Sequence, residues 1–147
     1  MLTNHTNIAN RLATRRLKPA ERRLLARDIM TPEPLTIEST TSIRDALHLM
    51  AVLKIRHLPV VDAGTPTGII SDRDVRVFAA EASASVRNVG SVIDGQLISV
   101  ELSAPLKRVS DAMIEHHVDA IAVLDRDGKL AGIVSYVDVL RALAHCL

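Results

Sequence analysis

Hydrophobic residues in this chain follow a helical spacing in two separate places. In the first half they recur every three to four residues, as on one face of an amphipathic helix, at Ile43, Ala46, Leu47, Met50 and Leu53. In the second half roughly the same spacing joins Leu106, Val109, Met113 and Val118. Helix-start residues precede each set, Thr41-Ser42 in one case and Ser103-Ala104-Pro105 in the other. Two amphipathic helices are therefore predicted.

Short apolar runs around each predicted helix have the length and composition of β-strands. One run precedes each helix, PLTI at 34–37 and LISV at 97–100. Two runs separated by a Gly-containing turn follow it, HLPVVD and GII in the first half and AIAVLD and GIV in the second. These runs predict a hairpin in each half. A final helix is predicted from Asp72 to about Ala82, and another from Tyr136 to the C-terminus.

The two halves are copies of one repeat. Met50 aligns with Met113 and Asp62 with Asp125, both at the same offset along the chain. The turn is one residue longer in the second copy, so GIISDRDV at 68–75 aligns with GIVSYVDV at 132–139 after a shift of one position. The pattern predicts an α/β (α+β) fold made of two tandem β-α-β-β-α repeats.

The repeat spacing and the composition together predict how the chain is divided and where in the cell it is located. The predicted organisation is a basic N-terminal leader at 1–25, a first repeat at 26–83 and a second repeat at 84–147. Residues 1–28 contain seven basic and two acidic residues, whereas the whole chain carries a net charge of only +1. A single cysteine, Cys146, cannot form an intramolecular disulfide, and no stretch resembles a signal peptide or a membrane span. A cytoplasmic location is expected.

Each copy ends in the motif Gly-x-x-Ser-x-x-Asp, which pairs Ser71 with Asp74 and Ser135 with Asp138. Ser-x-x-Asp before an apolar helix is also a helix capping box, in which the serine is the N-cap and the aspartate is the third helical residue. Capping and ligand binding both remain open for these residues.

The two copies together resemble a pair of cystathionine β-synthase (CBS) domains. The resemblance lies in RDIMTPEPLTI ahead of the first copy, in the repeated Gly-x-x-Ser-x-x-Asp and in GIISDRDVR, and it covers about Ala26 to Leu143. It implies that the repeats are related by pseudo-two-fold symmetry and form one module. It also implies a cleft between them with up to two sites for AMP, ADP or ATP, with or without Mg²⁺. S-adenosylmethionine and NAD are alternative ligands of the same class.

The resemblance also implies roles for particular residues. Ser71 and Ser135 would contact phosphate, and Asp74 and Asp138 would bind ribose hydroxyls, which suits an acceptor-only carboxylate. The walls of the adenine slots would be Thr36, Ile37, His57 and Pro59 in the first copy and Ser99, Val100, Ala120 and Ala122 in the second. Arg73 lies in the first turn of a helix, where a basic residue interacts unfavourably with the helix dipole. Either an anion binds nearby, or the arginine is simply solvated.

The sequence favours a regulatory module over an enzyme. No catalytic triad, Walker loop or dinucleotide-binding glycine motif is evident, and His116, His117 and Asp119 lack the spacing of a metal site. One alternative is a nucleic-acid-binding protein that acts through the basic leader. Another is a purely structural dimerisation module.

The chain is expected to form a homodimer. It is also expected to act on a regulated partner protein, which the sequence does not identify. The last predicted helix carries apolar residues on more than one face: Val137, Val139, Leu140, Ala142, Leu143, Ala144 and Leu147. One face can pack on its own sheet, and a second would remain for a partner subunit. The competing explanation is that the leader covers this face through Ile8, Leu12, Leu17, Leu24 and Leu25.

Overall fold

Both sequence copies fold into the same order of elements, and a computed structural model describes residues 23–93 and 95–146. The first copy contains β2 (Ile37–Glu38), α2 (Ile43–Leu53), β3 (His57–Asp62), β4 (Thr65–Ser71) and α3 (Asp72–Ala79). The second contains β5 (Ser99–Glu101), α4 (Leu106–His116), β6 (Ala120–Leu124), β7 (Leu130–Ser135) and α5 (Tyr136–Cys146). The predicted α+β class and the two β-α-β-β-α copies are confirmed.

Short elements also precede each copy. They are α1 (Ala26–Ile29) and β1 (Thr31–Pro32) before the first, and the 3-10 helix Val89–Ser91 before the second. The segments that contain them are called the first exchanged segment, Leu24–Pro32, and the second exchanged segment, Arg87–Ile93. Sequence patterns did not predict structure in either segment.

The strands form two sheets that share a three-stranded topology, and β1 adds a fourth strand to one of them. One has the order β2-β3-β4 and the other has the order β1-β7-β6-β5. In each copy the first strand is parallel to its neighbour and the hairpin strands are antiparallel. The register shifts between Val60 and Val61 in one hairpin and between Val123 and Leu124 in the other. The equivalence of the two copies therefore extends even to an irregularity of the sheet.

Equivalent backbone geometry ends the first helix of each copy. Lys54 and His117 both adopt the left-handed conformation, with φ of 54° and 53°. The next residue in each copy then donates its N–H to the carbonyl of Met50 or Met113. Such a left-handed residue satisfies carbonyls at the helix end and redirects the chain towards the following strand.

The helices pack on one face of each sheet and form two hydrophobic cores. The first-copy core combines strand residues Ile37, Leu58, Val60 and Ile70 with Ile43, Ala46 and Met50 of α2 and Val75 of α3. The second-copy core combines Val100, Ile121, Val123 and Val134 with Val109 and Met113 of α4 and Val139 and Ala142 of α5. Side chains alternate along a strand, so His57, Pro59, Ala120 and Ala122 belong to the opposite sheet faces.

Each core is completed by the exchanged segment that precedes the other copy. Ala26 donates its N–H to the carbonyl of Ala104 at 2.7 Å, and Val89 donates to the carbonyl of Thr41 at 2.8 Å. The two donors are equivalent positions of the repeat, and so are the two acceptors. The carbonyl of Leu24 accepts from Leu106, just as the carbonyl of Arg87 accepts from Ile43. The exchange is therefore reciprocal.

The structure divides into two compact units, and the division reflects this exchange of segments. One unit combines the described residues up to Glu33 with those from Ile98 onwards, and the other is Pro34–Leu97. Each unit thus contains one β-α-β-β-α copy and the exchanged segment of the other copy. The sequence boundaries at 26–83 and 84–147 stay a prediction about the repeats.

The loop after α3 is organised around Arg87. The helix ends at Ala79 and not near Ala82 as predicted, because Glu81 donates its N–H to the carbonyl of Phe78 in a turn. The Arg87 guanidinium lies 4.4 Å from the centre of the Phe78 ring and bonds the Glu81 carboxylate at 3.2 Å. Its Nε donates to the hydroxyl of Ser91. This cluster connects the end of α3 to the second exchanged segment.

Among the described residues, no helix is both long enough and apolar enough to cross a membrane.

Candidate ligand-binding site

The candidate residues of the first copy meet where β4 runs into α3. Ser71 is the last residue of β4 and the N-cap of α3. His57, at the start of β3, is its cross-strand partner, and Pro59 is opposite Ile69. The N–H of Asp72 donates to the carbonyl of Arg56 at 2.8 Å, which fixes the first turn of α3 against the start of β3. His57, Ser71 and the first turn of α3 are therefore brought together.

Ser71 and Asp74 form a capping box. The Ser71 N–H donates to Oδ2 of Asp74 at 3.1 Å, and the Asp74 N–H donates to the Ser71 hydroxyl oxygen at 3.1 Å. The capping alternative is thus realised in the geometry. Asp74 is nevertheless exposed to solvent, and within the described part of the chain the hydroxyl hydrogen of Ser71 has no acceptor. Both groups keep capacity for a ligand.

Positive charge lies beside this junction. Arg73 is exposed, and no hydrogen bond or ion pair engages it within residues 23–93 and 95–146. Arg76 forms an ion pair with Asp72, with 3.8 Å between Nε and Oδ2. Arg73 thus supplies a cation next to a helix start, an arrangement that suits a phosphate.

The junction of β7 with α5 repeats this arrangement in the second copy. Ala120 is the cross-strand partner of Ser135, and Ser99 pairs with Ala122 in the parallel register. The Tyr136 N–H donates to the carbonyl of Asp119 at 2.9 Å, the counterpart of the bond between Asp72 and Arg56. The backbone frame is therefore the same in both copies.

Side chains differ at the second junction. The Ser135 hydroxyl donates to Oδ2 of Asp138 at 3.0 Å, and the Ser135 N–H donates to the same oxygen at 2.9 Å. The hydroxyl oxygen accepts from the Asp138 N–H at 3.4 Å. Asp138 is only 8% exposed. Both serines are half-buried, so the boxes differ in their carboxylates: that of Asp138 is buried, whereas that of Asp74 is exposed to solvent.

The predicted walls of the adenine slots divide into accessible and buried residues. Thr36 is exposed, and His57 and Ser99 are half-buried. Ile37 and Val100 lie in the two hydrophobic cores, so their side chains face away from the strand face that carries His57 or Ala120. Pro59, Ala120 and Ala122 are buried. The roles of all these residues remain predictions, and for Ile37 and Val100 they are restricted to main-chain contacts.

No metal site emerges from the described residues: they contain no group of three or more His, Cys, Asp or Glu side chains that could hold an ion. His116 ends α4 and His117 is its left-handed cap, and both are exposed.

The family model of the CBS domain matches residues 26–81 and 89–145. The chain belongs to the CBS-domain family. The two matched ranges correspond to the two copies, and each begins within an exchanged segment. The resemblance deduced from RDIMTPEPLTI and the repeated Gly-x-x-Ser-x-x-Asp is confirmed.

Curated relatives of this CBS domain pair include long enzymes and short proteins. A CBS domain-containing protein of Dictyostelium discoideum is 29% identical over 137 residues, which cover 85% of this chain and 94% of that protein. Homoserine O-acetyltransferase of Methanocorpusculum labreanum is 30% identical over 109 residues, which cover 74% of this chain and 22% of the enzyme. The chain spans less than a quarter of the length of the first curated relatives it matches.

Solved CBS domain pairs have the same fold, and some contain adenosyl ligands. CBSX2 was crystallised in complex with AMP; it is 28% identical, with a TM-score of 0.70 and coverage of 83% of this chain and 97% of that one. The CBS domain pair of protein MJ0100 was crystallised with 5′-methylthioadenosine and S-adenosyl-L-methionine. It is 25% identical, with a TM-score of 0.76 and coverage of 85% and 99%.

Sequence reasoning missed how the CBS motif glycines are covered. A Cβ placed on Gly68 would lie 2.8 Å from Cγ2 of Ile93, and one on Gly132 would contact Met30 and the carbonyl oxygen of Thr31 at 2.9 Å. Met30 and Ile93 are also equivalent positions of the repeat, so an extended alignment of the two copies could have found the pair. The exchange itself leaves no trace in hydrophobic periodicity.

Proposed function

We propose that this CBS domain pair is a regulatory module that binds an adenine nucleotide and does not catalyse a reaction. The observation that carries the proposal is the junction of β4 with α3. There Ser71 and the exposed Asp74 form a capping box, and the exposed Arg73 is in the first turn of the same helix. Solved pairs of the same family that contain AMP or S-adenosyl-L-methionine support the ligand class.

Each group has a chemical role towards such a ligand. The hydrogen of the Ser71 hydroxyl is available for a phosphate oxygen, and Arg73 adds a charge-assisted contact. Asp74 uses one carboxylate oxygen in the capping box, and its other oxygen can accept from ribose hydroxyls. Capping and binding are therefore compatible, because the box holds the carboxylate in place without consuming it.

The favoured ligands are AMP, ADP and ATP, with or without Mg²⁺. S-adenosylmethionine and NAD share the adenosine part and are the alternatives. With two aromatic residues in the chain, Phe78 and Tyr136, adenine would be held mainly by aliphatic and backbone groups. Thr36 and His57 are the accessible wall residues of the first copy.

Regulation is the proposed role because the same CBS domain pair occurs both as a small part of long enzymes and as almost the whole of a short protein. Where relatives are enzymes, this chain covers only about a fifth to a quarter of them, and a short CBS domain-containing protein is covered almost completely. Ligand binding would then shift the module between conformations that a partner protein distinguishes. The regulated partner and the cytoplasmic location remain predictions.

A homodimer is part of the proposal. Tyr136, Leu140 and Leu143 follow the i, i+4, i+7 spacing on α5 and are 44%, 58% and 46% exposed. They form an apolar stripe that adjoins the face of α5 carrying Val139 and Ala142, which are in the core. A second copy would bury the stripe. Cover by the leader stays an alternative, and its residues Ile8, Leu12 and Leu17 lie outside the described residues.

A calorimetric and thermal-shift series tests the function. AMP, ADP, ATP, NAD and S-adenosylmethionine are titrated into the 147-residue chain, with GMP as a base-mismatched control. An adenosyl ligand at 100 times its dissociation constant is expected to stabilise the fold by about 2.7 kcal/mol. Failure of all five at millimolar concentration would refute the proposal. A salt-dependent shift of a labelled oligonucleotide instead would favour nucleic-acid binding.

A further inference from the structure

The two Ser-x-x-Asp motifs of this chain are in different chemical states although their backbones match. A serine hydroxyl has one hydrogen, and in the second copy Ser135 donates it to Asp138 at 3.0 Å. In the first copy no such bond runs from the Ser71 hydroxyl to Asp74, and the hydroxyl only accepts from the Asp74 N–H. Only Ser71 can therefore donate to a phosphate without first losing a bond.

The aspartates differ in the same direction. Oδ2 of Asp138 accepts two hydrogen bonds from Ser135, and the side chain is buried. A phosphate placed at Ser135 would lie beside this buried carboxylate, and two anions in a site of low dielectric repel each other strongly. Asp74 is exposed, so water weakens the same repulsion at the first junction.

Neighbouring residues add to the difference. In the first helical turn after each serine, the first copy has Arg73 where the second has Val137. The cross-strand partner of Ser71 is His57, a side chain with polar ring nitrogens, whereas Ser135 faces Ala120. The second junction thus offers neither a cation nor a further polar side chain to an anion at these two positions.

We propose that the chain binds one phosphorylated adenosine ligand, at the first copy only, and that Ser135 and Asp138 form a structural lock that fixes the start of α5. This inference rests on the proposed nucleotide-binding function and narrows it to one site. It assigns different roles to two motifs that the sequence presents as equivalent.

Isothermal titration calorimetry with AMP on the full chain tests the inference. One AMP per chain is expected. Ser71→Ala and Asp74→Asn are expected to weaken AMP binding at least about tenfold, the effect of losing a hydrogen bond to a charged group. Ser135→Ala is the matched control and should bind AMP like the parent chain. Arg73→Ala should weaken AMP binding and leave adenosine binding unchanged, because adenosine has no phosphate.

The unfolding transition provides a second readout. Without ligand, Ser135→Ala should lower the melting temperature more than Ser71→Ala, and with saturating AMP both should show an upward shift. Two AMP molecules per chain would overturn the single-site inference and leave the nucleotide-binding function intact. Loss of binding in Ser135→Ala with retention in Ser71→Ala would do the same. The absence of binding by any adenosyl ligand would instead refute the function itself.

Discussion

Ile93 lies directly against Gly68: a Cβ built on that glycine would come within 2.8 Å of Cγ2 of Ile93. The same relationship joins Met30 to Gly132 in the other unit. Each pair connects the exchanged segment of one sequence copy to the hairpin of the other. The glycines of the Gly-x-x-Ser-x-x-Asp motifs are thus required for close approach of the exchanged segments, immediately ahead of the candidate serines.

Alanine at these glycines should destabilise the fold to different extents. Gly132→Ala is expected to cost about 1–3 kcal/mol, the range for overpacking, because its methyl group would meet the backbone carbonyl of Thr31 at 2.9 Å as well as Met30. Gly68→Ala should cost less, because only the side chain of Ile93 stands in the way. Urea denaturation of both variants measures the difference.

A compensating substitution distinguishes the two cases. Gly68→Ala should cost less in an Ile93→Ala background than in the parent chain, because Ile93→Ala removes Cγ2, the atom that the new methyl group would meet first. Gly132→Ala/Met30→Ala should recover little, because the Thr31 carbonyl remains. Full recovery in the second double variant would show that the backbone contact is unimportant.

The first exchanged segment should be necessary for the stability of the second copy. Ile29 is fully buried in the core that also contains Val123 and Val134. Ile29→Ala is expected to lower the free energy of unfolding by about 2–5 kcal/mol. Val52→Ala is the control, because Val52 is 61% exposed on α2 and should change stability by no more than about 0.5 kcal/mol. Equal effects in denaturant titrations would contradict the exchange.

Asp138 and Asp74 should contribute differently to stability in the absence of ligand. Asp138→Ala leaves the N–H and hydroxyl of the half-buried Ser135 without their acceptor, at a cost of about 1–3 kcal/mol. Asp74→Ala breaks an exposed box and should cost about 1 kcal/mol or less. Thermal unfolding of both variants checks the order, and a larger loss for Asp74→Ala would contradict the structural lock.

The apolar stripe on α5 should mediate self-association. Static light scattering at tens of micromolar is expected to give the mass of a dimer for the full chain and of a monomer for Leu140→Lys. Val77→Lys places the same charge on α3, at a residue 67% exposed, and should leave the dimer intact. A monomeric parent chain would refute the dimer.

The leader alternative has its own measurement. A chain that begins at Arg23 retains Leu24, which lies in the core, and removes most of the basic leader. If this shortened chain dimerises and the full chain does not, the leader covers the stripe. Dimers of both would show that the leader is not involved.

Local patterns predicted the elements well where local interactions decide them. HLPVVD became β3 at the predicted bounds, and α2 begins after Ser42, whose hydroxyl accepts from the Asp45 N–H. The second strand of each hairpin begins earlier than predicted, β4 at Thr65 and β7 at Leu130. The reason is that residues next to the turn also pair with the first strand of the hairpin. The helix α3 ends at Ala79, earlier than the sequence predicts, because the Glu81 N–H donates to the carbonyl of Phe78 in a turn.

The sequence by itself determined the two copies and their family, because repeat spacing and motif identity are properties of residue order; the site residues that it names remain a prediction. Only the tertiary structure decided which copy each exchanged segment completes, since hydrogen bonds such as that from Ala26 to Ala104 join residues far apart in the chain. It also decided that Asp74 is exposed and Asp138 buried. Two identical motifs acquire different chemistry because burial and the direction of one hydroxyl hydrogen depend on what surrounds them in space.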